Sequence, residues 1–192
     1  EKSHDIIHRA LDILVRLTHR GACGCDPRTG DGAGILLQMP DAFFRRAAGE
    51  AGFDLPAEKE YGTGLVFLPK DAGERNAVEA MFEQAVRDEG QTLLGWRDVP
   101  TDGSAIGDLA AETEPAVRQI FIGRGTGLET ARDFERKLFV IRKVIEHAVA
   151  QSDLRMKDRF YIPSLSCNTM NYKGMILPGE MERYYPDLTD PD

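Results

Sequence analysis

The chain has 192 residues, 42% of them hydrophobic, and its 24 Lys and Arg against 32 Asp and Glu give a formal charge of −8. That length suits one domain of ordinary size, and the apolar content supports a packed core rather than a disordered tail. An acidic balance argues against a phosphate-backbone partner, and no apolar run nears the roughly 20 residues that cross a bilayer, which sets aside nucleic acid and membrane as partners.

Ser3 is placed to cap a helix starting near Asp5, in which Ile6, Ile7, Ala10, Leu11, Leu14 and Leu17 recur at helical spacing. His19-Arg20-Gly21 ends it, and a glycine-rich loop runs to Ile35. Ile35–Met39 reads as a short buried strand closed by Pro40. Asp41 is placed to cap a second helix carrying Phe43, Phe44, Ala47 and Ala48. A strand follows over Tyr61–Leu68, then an amphipathic helix over Glu74–Asp88 with Val78, Met81, Phe82, Ala85 and Val86 inward. Thr92–Trp96 is the next strand, ending at Val99-Pro100.

The acidic stretch Thr101–Pro115 reads as a connector with a short helix near Ile106–Ala111, followed by a strand over Val117–Ile122. Thr130–Gln151 carries the strongest helical pattern. Phe134, Leu138, Ile141, Ile145 and Ala148 mark one face, and Phe139, Val140 and Val144 widen the stripe, so this helix is expected to be covered on more than one side. Phe160–Ile162 and Tyr172–Leu177 are the last predicted strands, and the tail from Tyr184 has no periodicity. Helices and strands alternate without repeats, which places the chain in the α+β class with helices layered on sheets.

Chemistry-bearing motifs are few. Gly30, Gly32, Gly34 and Gly123, Gly125, Gly127 alternate, but a dinucleotide fingerprint needs a third glycine where Ile35 and Leu128 stand. They read as tight turns. His4 and His8 share a helical face, yet a zinc protease would have Glu in place of Asp5, and no third ligand follows. A solvated first helical turn is the expected reading, and a zinc hydrolase is the remote alternative.

Cys23, Cys25 and Cys167 lack zinc-knuckle spacing and read as small loop residues, although Arg20, Arg28 and His19 are near enough in sequence to activate Cys23 or Cys25. An odd, unpaired count fits a reduced cytoplasmic protein. Asp26, Arg28 and Asp31 are expected to fix the loop through charge-assisted hydrogen bonds. Arg20 is the better candidate for a pocket, because its planar fork grips a carboxylate at two points. Tyr172-Lys173-Gly174 suits either a polar substrate and an interdomain seam, or a surface turn.

Taken together, Leu17-Thr18-His19-Arg20-Gly21-Ala22 running into Thr29-Gly30-Asp31-Gly32-Ala33-Gly34-Ile35 resembles the amino-terminal glutamine amidotransferase domain of glutamate synthase large chains. Gly64–Pro69, Gly95–Pro100, Glu114-Pro115 with Gln119, and Tyr172–Met175 match in the same order. Cys167-Asn168-Thr169 departs from the more usual Ser-Arg-Thr of that family.

The resemblance implies an N-terminal-nucleophile hydrolase fold, an αββα four-layer sandwich, here incomplete, with residues 1–192 forming part of one domain. In that family the nucleophile is a Cys at the start of the mature chain. It is expected upstream of Glu1, and the oxyanion-hole and glutamine-gripping segments are expected beyond residue 192. Arg20, Asp31 and Lys173 are the substrate-pocket candidates, with no metal site and no cofactor in this segment.

For the complete enzyme the resemblance implies glutamine as substrate, FMN and an iron–sulfur cluster, the remaining synthase domains as partners, and NAD(P)H or ferredoxin as electron donor. The chain alone is expected to be inactive. The alternative is a noncatalytic regulatory or interaction module that kept the fold and lost the nucleophile.

Overall fold

The computed structural model describes residues 3–21 and 26–192, so Cys23 and Cys25 lie outside the described residues. The elements in chain order are α1 (His4–Arg16), β1 (Ala33–Gln38), α2 (Asp41–Glu50), β2 (Tyr61–Leu68), α3 (Ala72–Asp88), β3 (Thr92–Asp98), α4 (Asp108–Glu112), β4 (Ala116–Gly123), α5 (Ala131–Gln151), β5 (Thr169–Gly174) and α6 (Met181–Tyr184). Short 3-10 turns stand at Thr18–Arg20, Gly103–Ala105, Lys157–Arg159, Pro178–Glu180 and Pro186–Thr189.

Two antiparallel sheets form, one of three strands in the order β2-β4-β3 and one of two strands, β1-β5. Strand periodicity sends alternate side chains to opposite faces. From β2 and β4, Val66, Leu68, Ile120 and Ile122 pack with Val78 and Phe82 of α3 and Phe134, Leu138 and Ile141 of α5. Leu65, Val117 and Phe121 point the other way. They join Phe44 of α2, Ile35 of β1, Met170 and Tyr172 of β5, and Leu11 of α1. β2 is therefore buried on both faces, which explains its apolar run Leu65–Leu68.

Ser3 caps α1 as expected, its Oγ accepting from the Asp5 N–H at 3.2 Å. Asp41 does not cap α2. Pro40 holds that position, and Asp41 is the first helical residue, where its carboxylate takes hydrogen bonds from Arg45 and the Tyr61 hydroxyl. α3 begins earlier than its apolar pattern, at an Asp71 cap whose side chain accepts from Glu74 N–H at 2.9 Å.

Three other readings are corrected. Phe160–Ile162 forms no strand; only Tyr161 bridges to Phe67. The last strand is Thr169–Gly174 rather than Tyr172–Leu177, because its partner β1 begins at Ala33, opposite Gly174. α5 is covered on one side only: Phe139 is 57% exposed, Val140 and Val144 also face outward, and Val149 rather than Ala148 completes the buried stripe. The aperiodic tail is ordered by its aromatic residues. Tyr184 and Tyr185 are buried and stack edge-on at 4.7 Å.

Candidate functional site

The glycine-rich loop is held at Asp26–Thr29 by side-chain hydrogen bonds. Asp26 accepts from the Arg28 N–H, the Thr29 hydroxyl and the Leu109 N–H, while Arg28 donates to the carbonyls of Ser104 and Ile106. Bonds from Thr29 and then from Arg28 hold the Asp26 carboxyl below its usual range. Asp26 and Arg28 fix the loop as expected, whereas the expected bond from Asp31 is not among those of the described residues.

Beyond Thr29 the chain runs along β5. Gly34 pairs with Lys173, and a Cβ on Gly34 would lie 2.8 Å from the Lys173 Cβ. Gly32 adopts φ +121°, a region that favours glycine. The alternating glycines thus serve a tight turn and a close strand approach.

Of the three pocket candidates, Arg20 and Asp31 come from segments that meet. Arg20 ends the Thr18–Arg20 turn, its N–H donating to Leu17 at 2.8 Å, and a Cβ on the adjoining Gly21 would lie 3.2 Å from an Asp31 carboxylate oxygen. Both side chains are exposed. Lys173 stands on the same strand end, but its Nζ turns to Tyr161, 3.2 Å from the hydroxyl and 5.0 Å from the ring centre. There it lines a cavity of about 270 Å³ between β5, α4 and the C-terminal segment.

His4 and His8 stack edge-on at 4.3 Å; His4 is half-buried and His8 exposed, as expected of a solvated first turn, and both reach the C-terminal segment. His4 Nε2 lies 3.0 Å from the Leu188 carbonyl, and His8 Nδ1 lies 3.3 Å from Glu182. Among the described residues no three His, Cys, Asp or Glu gather as a metal set.

Cys167 is buried with its Sγ 3.1 Å from Glu135 Oε2. Burial, and then the Glu135 hydrogen bond and charge, push its thiol up to about 12. Burial and the Glu135 contact favour the neutral thiol of a core residue, a setting that does not activate a nucleophile.

A buried polar chain escaped the sequence reading. Arg97 donates to Gln119 Oε1 at 2.7 Å and to Asp187, Gln119 donates to the Thr63 hydroxyl, and the Tyr172 hydroxyl donates to Asp187 at 2.8 Å. Burial first, then the Asp187 charge, raises the Tyr172 phenol well above its usual value. The chain ties β5, beside Lys173, to the three-stranded sheet. Its available signal was a lone Arg within an apolar strand.

β1 pairs with β5 alone among the described strands, leaving its other edge open. Beside it lies a groove of about 670 Å³ floored by Ile6, Ile7, Ala10 and Leu37, with Ser3 and His4 at its wall. Leu36 is 64% exposed there.

Residues 1–192 match the family model of class II glutamine amidotransferases. The chain is 43% identical over 190 residues to the glutamate synthase [NADPH] large chain of Bacillus subtilis (strain 168), covering 99% of this chain and 12% of that one. It is 37% identical over 188 residues to the chloroplastic ferredoxin-dependent glutamate synthase of Oryza sativa subsp. japonica, covering 98% and 12%. With the glutamate synthase [NADH] of Schizosaccharomyces pombe it shares 35% identity over 193 residues, covering 98% and 9%. The chain thus spans about an eighth or less of the relatives it matches. No helix among the described residues is long and apolar enough to cross a membrane. By the family match along its whole length and the identity it shares with glutamate synthases, this chain belongs to the class II glutamine amidotransferases.

Proposed function

We propose that this chain is the scaffold portion of the glutaminase domain of a glutamate synthase, in an αββα N-terminal-nucleophile fold. In that reading a preceding strand brings the nucleophilic Cys, whose thiol attacks the side-chain amide of glutamine. Its own α-amine, with a pKa near about 7.7–8.0, acts as base. Ammonia leaves, water releases glutamate, and the ammonia serves reductive amination of 2-oxoglutarate in another domain. Arg20, Asp31 and Lys173 are the substrate-pocket candidates; Arg20 offers the two-point grip a carboxylate needs.

The observation that carries this reading is the open edge of β1. It adjoins a groove whose wall includes Ser3 and His4, so a strand entering from upstream of α1 would lie directly against it. An added strand would pair the free backbone groups of β1 and cover Leu36.

The FMN and iron–sulfur cluster expected for the complete enzyme do not fit the described residues. A cluster needs several thiolates, whereas the described Cys167 is buried and protonated. The Gly30–Gly34 backbone is packed against β5 rather than open as a phosphate cradle. Both groups therefore belong to other domains in this reading.

The test is a chain extended upstream by the Cys-bearing strand and downstream by the oxyanion-hole and glutamine-gripping segments. It should release ammonia from glutamine and become labelled at its first residue by an electrophilic glutamine analogue. A folded extended chain that neither turns over glutamine nor takes the label would overturn the proposal.

A further inference from the structure

The cavity beside Lys173 has the composition of a small-ligand site. At about 270 Å³ it lies below the roughly 300–1,000 Å³ of drug-sized pockets, so it suits a small molecule. Phe67, Ile176, Tyr184 and Tyr185 give it apolar and aromatic walls, and Lys173 and Arg159 add two cations.

The cavity's acids do not cancel those cations. Glu114 is already neutralised by Lys70, from which it accepts at 2.7 Å, and it also accepts from the hydroxyl of Tyr184, a wall of the cavity, at 3.1 Å. Asp158 is exposed at the rim, where water screens it. Lys173 has a hydroxyl and a ring for neighbours rather than a carboxylate. Arg159 is half-buried, and no carboxylate pairs with it among the described ion pairs. In a chain of net charge −8, two half-buried cationic residues line an aromatic cavity, a setting that suits an anion with a carbon body.

We propose that this cavity binds a small organic carboxylate, with Lys173 and Arg159 facing the charged end and Phe67, Ile176 and the two tyrosines enclosing the rest. The wall is rigid where it matters: the Tyr185 hydroxyl donates to the Lys173 carbonyl at 2.9 Å, fixing the strand end that presents the ammonium. This inference is argued from the cavity; if it holds, Lys173 serves this cavity rather than the glutamine pocket of the proposed reading, whose own test is ammonia release.

The test titrates the purified protein with succinate, and with the neutral isostere succinamide, following backbone amide shifts by NMR. Succinate should bind saturably, moving the Lys173, Gly174 and Ile176 amides, while succinamide should not. Lys173→Met and Arg159→Gln should each weaken binding at least about tenfold, the scale of one lost charge-assisted contact, and Lys173→Arg should retain it. Both side chains are partly exposed, so circular dichroism should show the fold intact in either variant. If one variant unfolds, the other carries the test. Absence of saturable shifts, equal response to succinamide, or unchanged affinity in the folded variants would overturn the proposal.

Discussion

One guanidinium nitrogen of Arg97 lies 2.5 and 2.6 Å from the two carboxylate oxygens of Asp187, and both side chains are almost wholly buried. This pair joins a strand of the larger sheet to the C-terminal segment. The Tyr172 hydroxyl completes it from the smaller sheet. Removing one partner strands a buried charge, which typically costs about 3–5 kcal/mol, whereas replacing both by apolar groups costs far less. Asp187→Asn and Arg97→Met should each lower the urea midpoint strongly, and the double variant Arg97→Met with Asp187→Leu should recover much of the loss. Additive losses in the double variant would show that the pair does not act as a unit.

Gly64 lies on β2 where a Cβ would stand 1.9 Å from the Ser164 carbonyl oxygen. Backbone cannot yield there without breaking the Thr63–Ser166 bridge. Gly64→Ala should therefore abolish cooperative folding or lower the melting temperature sharply. Gly49, in α2 with nothing within 4 Å of its would-be Cβ, gives the contrast. Gly49→Ala should stabilise by about 0.5–1 kcal/mol through backbone entropy and helix propensity. Equal effects at the two sites would refute the close-approach argument.

The Cys167 thiol should resist a neutral disulfide reagent at pH 7.5 in the folded protein and react on unfolding. Its folded value, pushed up to about 12, lies above the ordinary 9.0, so the neutral thiol is the form that folding favours. The stability it contributes is complete below pH 9.0 and is lost as pH rises from there toward 12. Denaturant midpoints should fall across that window, and less steeply in Cys167→Ala. A wild-type slope no steeper than that of the variant would contradict the assignment.

How much of this was legible in the sequence depends on the range of the interactions. Tyr61–Leu68 was read to the residue because burial on both faces leaves the apolar run Leu65–Leu68 at its core, closed by Pro69. The Ser3 cap and the inward face of α3 were equally local signals. The last strand was misplaced because its ends are set by β1, some 135 residues earlier, and not by its own composition. Phe139, Val140 and Val144 misled because apolar character alone does not say which face finds a partner. The pairing of Arg97 with Asp187 was invisible for the same reason: neither residue's neighbours announce the other. Of the site candidates, neither the meeting of the Arg20 and Asp31 segments nor the turn of Lys173 toward Tyr161 was legible, because both depend on contacts between segments that no local pattern links.

The open edge of β1 should make the isolated chain self-associate, because unpaired strand groups beside exposed Leu36 invite edge-to-edge pairing. Sedimentation velocity should show association growing with concentration, and Leu36→Lys should reduce it. A monomer at all concentrations, with a cooperative melt at high temperature, would mean that the edge needs no further strand.

The most direct test of the central claim is ammonia release from glutamine by this polypeptide alone. The account predicts no turnover above the uncatalysed background, because the chain is read as scaffold and its described cysteine is buried and protonated. Turnover at a rate comparable to an intact glutaminase domain would contradict it, and would direct attention to Cys23 or Cys25.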